Sequence, residues 1–175
     1  MSGGALGLAA GTLRLVPHDP DWARRFETEA ARLSYLPGGA RVHHIGSTSV
    51  PGLPAKPILD LMVTAQTSAW GAVATALRRA GYRDNGPRGD RGGHVFVRED
   101  DGVRTHILHL YVPDDPDVAN HLDFRDALRA DAGARSAYAD RKARLIASGI
   151  PRRRYADAKG GVVSAILQAW RAREP

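Results

Sequence analysis

The spacing of apolar residues changes twice along this chain, from helical to alternating and back to helical. From Asp19 or Asp21 onward, Trp22, Phe26, Ala30 and Leu33 recur at helical spacing, with acids and arginines between them. That pattern predicts an amphipathic helix. Residues 41–45, RVHHI, form a short β run, and residues 57–64, PILDLMVT, are almost continuously apolar, as in a strand covered on both faces. SAWGAVATALRRAGY follows with helical spacing and ends at Gly81, a residue suited to a helix C-terminus. The polar stretch RDNGPRGDRGG reads as a loop. Beyond it HVFVRED and VRTHILHLYV read as two strands joined through a hairpin turn at DDG. After Pro113 the spacing is helical throughout. DPDVANHLDFRDALRAD aligns Val118, Leu122, Arg125 and Leu128 on one stripe, and two further helical segments flank the GIP break at 149–151. TLRLV, at 12–16, alternates and reads as a first strand, with residues 1–11 ahead of it as a disordered leader. Together these elements predict one α+β domain over residues 1–175, a mixed sheet with helices on one side and a helical C-terminal third.

Composition narrows the possibilities. A chain of 175 residues buries enough apolar surface to fold without disulfides or metals, and 43% hydrophobic with 25% charged residues is ordinary for a soluble domain. No cysteine is present, which excludes disulfides, thiolate nucleophiles and Cys-zinc sites and accords with a cytoplasmic location. No apolar run approaches the roughly 18 residues of a membrane span, and the small, apolar start lacks the basic residues of a signal peptide. The net charge of +6 favours an anionic partner: a nucleotide, a phosphate ester or a nucleic acid. Nucleic acid is the weakest of these, because no aromatic RNA-reading motif accompanies the charge.

The candidate chemistry lies in HHIGSTSVPGLPAKPILDLMV, from His43 to Val63. Gly46 leaves a strand without a Cβ and lets backbone approach a ligand closely. Ser47, Thr48 and Ser49 add hydroxyls and amides able to cradle phosphate oxygens. Pro51, Pro54 and Pro57 restrict the loop, and Lys56 adds a positive charge. A tight turn capped by small residues accounts for the same letters. Asp60 weighs against that reading. A carboxylate inside an apolar strand is costly unless it is paired, hydrogen-bonded, metal-bound or at the strand's exposed end.

The segment HIGSTSVPGLPAKPILDLMV resembles the hallmark of the GrpB family, within the nucleotidyltransferase superfamily. The resemblance extends through the DPDWARRFETEAARL opening, RTHILHL, HLDFRDALRADAGARSAYADRKARL and YADAKGGVVSAI. It implies a sheet of nucleotidyltransferase type and a phosphorylated small-molecule substrate, a nucleotide first of all. It also implies nucleotidyl transfer, with Mg²⁺ as cofactor and Asp60 as its ligand. The superfamily places a second acid two residues on, where strand geometry aims both carboxylates at one ion. Here that position is Met62, a poor ligand for Mg²⁺.

His44 and His109 match histidines of the family and are the expected proton-handling partners of Asp60. His109 shares a strand face with Ile107, while His106 points to the other. Arg125, Lys142, Tyr155 and Lys159 stand at matching residue types and are expected to wall the phosphate site together with Gly46, Ser47, Thr48, Ser49 and Lys56. Solvated surface charge is the plainer explanation for each of the cations. Three functions follow: nucleotidyl transfer; metal-independent acid–base chemistry by Asp60 and a histidine as a lyase, cyclase or hydrolase; or a non-catalytic nucleotide-binding module. All need Ser47, Asp60 and His109 to meet in a hollow bordered by cations from the last helices.

Overall fold

A computed structural model describes residues 5–9, 11–88 and 93–173. In chain order the elements are β1 (Leu8–Ala9), α1 (Asp21–Arg32), β2 (Arg41–Ile45), β3 (Leu59–Thr64), α2 (Trp70–Arg79) and β4 (Arg83–Pro87), followed by β5 (His94–Asp100), β6 (Val103–Tyr111), α3 (Pro116–Ala130), α4 (Ala132–Ala147), α5 (Arg152–Tyr155) and α6 (Gly160–Arg171). The strands lie in the order β2-β3-β6-β5-β4. β3 runs parallel to β6, and the other pairings are antiparallel. This is the mixed sheet that the hydrophobic pattern predicts.

The unbroken apolar run of β3 is explained by cover on both faces. Leu59, Leu61 and Val63 enter a core built with Trp22, Leu33, Val73 and Leu77, so α1 and α2 back that face. Met62 turns the other way, to Ile45 and Tyr111, beneath Val118 and Leu122 of α3. The C-terminal helices form a further core with the loop after β2, in which Val50 and Leu53 pack on Leu128, Tyr138 and Ile166. Local chemistry starts these helices where the pattern predicts. Asp115 caps α3 by accepting from the Asp117 amide at 2.8 Å, with Pro116 in the first turn, and Asp131 caps α4 by accepting from Ala134 at 2.9 Å.

The structure corrects the sequence reading in two places. Residues 12–16 form no strand; Val16 makes only an isolated bridge with Ala55. The first strand is instead Leu8–Ala9, within the segment expected to be a disordered leader, and Leu8 is buried. Residues 1–4 and 10 of that segment lie outside the described residues. The reason is the length of β6. β3 covers β6 only from His106 onward, which leaves Val103 and Arg104 an open edge that Leu8–Ala9 completes. Second, Arg83–Pro87, expected to be loop, pairs with β5 as an edge strand with a bulge between Asp84 and Pro87. Edge position is where Gly and Pro are tolerated in a sheet. Among the described residues no helix is long and apolar enough to cross a membrane.

Candidate anion-binding site

The site begins where β2 hands over to the loop. Ile45 lies opposite Asp60 in the β2–β3 register, so the next residue turns directly over that carboxylate. Gly46 makes the turn at φ 68°, and a Cβ there would stand 2.5 Å from Asp60 Oδ2 and 2.9 Å from Asp60 Cβ. Only glycine fits both conditions. Ser47–Ser49 then forms one 3₁₀ turn. The Ser49 hydroxyl donates to the Gly46 carbonyl at 2.6 Å, and the Ser49 carbonyl accepts from Arg129 at 2.8 and 2.9 Å. Ser49 therefore anchors the loop and does not line the cavity.

Asp60 forms the floor of a cavity of about 500 Å³, and Gly46, Ser47, Thr48, Lys56, His109, Lys142, Tyr155 and Lys159 of the sequence-predicted residues border it as well. Tyr138 and Lys142, one turn apart on α4, project from the same helix face. Lys142 is buried; its ammonium donates to Ser47 Oγ at 3.2 Å and to the Pro54 carbonyl, and lies 4.9 Å from the Tyr138 ring centre. Lys159 sits 4.6 Å from the Tyr155 ring centre and Lys56 5.7 Å from it. Aromatic faces thus hold the cations in place. Burial, with Lys159 and Lys56 nearby, brings the Lys142 amine down to about 7 against the pull of Asp60. Burial likewise lowers Lys56 and Lys159, and it raises the Asp60 carboxyl against the three lysines. Three amines thus face one acid across the cavity.

The cavity is also bordered by residues that the sequence reading passed over: Arg88, Asp117, Asn120 and His121, with Phe124 and Tyr138. Asp117, His121 and Phe124 recur at helical spacing on α3, beside the stripe that the sequence does show, and this was the available signal. His109, next to Met62 in the β3–β6 register, joins them on the Asp60 face of the sheet. Burial, with His121 and Arg88 close, brings His109 down to about 3, and burial and Arg88 bring His121 to about 4. Neither is suited to carry a proton near neutral pH.

His44 and Arg125, both expected in the site, do not border the cavity. His44 pairs with Leu61 across β2–β3 and so points to the α1 side, away from Asp60. There it stacks on Phe26 with ring centres 4.5 Å apart, and its Nε2 meets Thr48 Oγ1 at 3.0 Å. Burial lowers it to about 3, so it acts as a fixed neutral prop for the loop. Arg125 is bound to Asp126 at 2.7 and 2.9 Å and donates to the His44 carbonyl at 3.3 Å. His44→Ala is expected to cost about 2 kcal/mol in urea melts through the lost stack and hydrogen bond.

The donor set can be tested against Mg²⁺, which takes hard oxygen ligands. Asp60 is surrounded by lysines, Met62 is the next residue on its strand face, and Asp117 is engaged by Arg88 at 3.1 Å. Among the described residues no group of three or more His, Asp or Glu suits a metal ion. These residues do not fit the ion that the resemblance implies.

Fold and site together define an α+β domain whose Gly-Ser corner and central-strand acid open onto a lysine-walled cleft. The chain belongs to the GrpB family: the family profile described as GrpB protein matches residues 12–169. A UPF0157 protein of Streptomyces coelicolor is 39% identical over 155 residues, covering 87% of this chain and 81% of the relative. A UPF0157 protein of Bacillus subtilis is 33% identical over 138 residues; the match covers 77% of this chain but only 40% of that longer protein. The crystal structure of GrpB from Enterococcus faecalis superposes with a TM-score of 0.79 at 29% identity, covering 90% of this chain and 96% of the other.

Proposed function

We propose that this chain binds a phosphorylated small molecule, a nucleotide being the first candidate, and that lysines serve as the counter-charge in place of a metal. The observation carrying this reading is the convergence of Lys56, Lys142 and Lys159 on the Ser47–Asp60 corner. An ammonium group that is partly desolvated and faces excess positive charge gains most from an anion, and the prearranged Gly-Ser turn lowers the cost of ordering around it. Phosphoryl-type chemistry asks a protein mainly for positioning and charge stabilisation, which this cavity offers. Nucleotidyl transfer through paired metal ions lacks its second acid here, so no step is assigned to it.

A second reading rests on Lys142. An amine brought near neutrality, 3.2 Å from the Ser47 hydroxyl, can accept a proton at physiological pH, where His44 and His109 cannot. If the bound molecule is turned over without metal, Lys142 is the acid–base group.

The deciding experiment is calorimetric titration with pyrophosphate and with nucleotides, each with and without Mg²⁺. Binding is expected without metal, and Lys142→Met and Lys159→Met are each expected to weaken it by about tenfold or more. Binding that requires both Mg²⁺ and the Asp60 carboxylate, lost in Asp60→Asn, would restore the metal-dependent transferase. Absence of binding to every phosphate-bearing probe would remove the anion site.

A further inference from the structure

Resting on the reading of the lysines as an anion site, we propose that Ser47 is the nucleophile of a covalent phosphoryl transfer, with Lys142 as its general base and Lys56 and Lys159 holding the phosphoryl oxygens. The turn after β2 presents three hydroxyls, and their geometry sets one apart. Thr48 Oγ1 is engaged by His44 Nε2 at 3.0 Å, and the Ser49 hydroxyl donates to the Gly46 carbonyl at 2.6 Å. Both residues are buried. Ser47 is partly exposed, borders the cavity and has its Oγ 3.2 Å from Lys142 Nζ. The backbone around it is pinned: the Ser49 amide donates to the Gly46 carbonyl at 3.2 Å, and Arg129 grips the Ser49 carbonyl. A nucleophile held on a fixed turn has little freedom left to lose on reaction.

The three lysines divide the work by exposure. Lys142 is only 1% exposed, so its nitrogen is directed at protein groups, Ser47 Oγ and the Pro54 carbonyl. Lys56 and Lys159 are partly exposed and border the same cavity, where a ligand can reach them. A neutral Lys142 keeps an N–H on the Pro54 carbonyl and turns its lone pair to the Ser47 hydroxyl, the arrangement of a Ser–Lys dyad. Burial, with Lys159 and Lys56 close, favours that neutral form and brings the amine to about 7. Tyr138 also bonds to the Ser47 side chain, but burial pushes its hydroxyl up to about 12, and burial raises Tyr155 as well. Both phenols therefore stay protonated and leave the amine to take the proton. Asp60 faces the amine too and steadies the ammonium once it forms. The step balances. Ser47 Oγ bonds to phosphorus as its proton passes to Lys142 Nζ; the bond from phosphorus to the leaving oxygen breaks, and that oxygen takes the proton from Nζ. Water then attacks the phosphoserine, its proton passing through Nζ to Oγ, which releases inorganic phosphate and restores the hydroxyl.

The test uses diisopropyl fluorophosphate, an uncharged reagent that halts at the phosphorylated serine: the Oγ–P bond forms, fluoride leaves and Nζ takes the proton. Mass spectrometry of the full chain is expected to place one adduct on Ser47, absent in Ser47→Ala. The labelling rate should rise with pH through about 7 and then level off, whereas an unassisted serine would keep gaining rate with hydroxide. This profile needs no variant and so decides even where variants fail to fold. Lys142→Arg keeps the cation but cannot accept a proton, and it should slow labelling by about a hundredfold or more, as should Lys142→Met. Pyrophosphate at about ten times its dissociation constant should slow labelling of the unmodified protein about tenfold by occupying the space beside Ser47. Absence of the adduct, an unbroken rise with pH, or undiminished labelling in a folded Lys142→Arg overturns the dyad, while pyrophosphate binding in the calorimeter keeps the anion site standing. An adduct that pyrophosphate does not protect, or that forms where pyrophosphate does not bind at all, separates Ser47 from any phosphoryl site and overturns the proposal too.

Discussion

Gly46→Ala is expected to lower folding stability by about 3 kcal/mol. About 1–3 kcal/mol comes from forcing an L-residue into a positive-φ, extended-ψ backbone (φ 68°, ψ −171°) that essentially only glycine adopts, and the rest from overpacking against the Asp60 carboxylate. Gly52 provides the control, since its φ is 78° but a Cβ there would meet nothing within 4 Å. Gly52→Ala should therefore carry only the conformational cost. Urea unfolding of both variants measures the difference, and equal losses would remove the Asp60 contact as the cause. Because the added methyl displaces the acid beneath it, Gly46→Ala should also weaken anion binding, where Gly52→Ala should not.

The second large effect is on pH dependence, with sulfate as a probe whose own charge is constant over the range. Lys142 titrates near 7 in the protein, against 10.5 for an ordinary lysine. A bound anion raises that value, so binding takes up a proton. Affinity is then complete below pH 7 and falls as pH rises, by up to about tenfold per unit, until the value of the bound state is passed. The other groups facing the amine reinforce the sign: Lys56 and Lys159 are also lowered, and Asp60, raised by burial, gains negative charge over a higher range. Lys142→Met should flatten most of the slope between pH 7 and 9, and a flat profile in the unmodified protein would contradict the assignment. Folding shows the opposite trend. At this amine the unfolded chain binds more protons than the folded one between pH 7 and 10.5, so its contribution to stability rises through that window, by on the order of 5 kcal/mol.

Much of this architecture is legible in the chain because it rests on local periodicity. The β3 run and the α1 stripe are each set by residues within a few positions of one another. The same holds for the Gly-Ser corner, whose glycine is required by an acid that the sequence already marks as out of place. Pairings decided elsewhere were not legible. Leu8–Ala9 forms a strand because β6 outruns β3, and Arg83–Pro87 forms one because β5 offers an edge. In the site, the lysines are visible as residue types, but His44 shows why type alone misleads. One register step along β2 moves a side chain from the cavity to the α1 core. The His121–Arg88 end depends on α3 lying across β6, a placement that no short window of sequence contains.

The parallel pairing of β3 with β6 has a consequence for how the pocket comes into being. Its floor is contributed by Asp60 and its far corner by His109, residues brought side by side only after α2 and the β4–β5 hairpin partner have been looped out between them. Non-local strand pairing of this kind is slow and late in assembly. The pocket is thus a property of the finished topology alone, and whatever fills it would trap the completed chain without hastening the earlier stages.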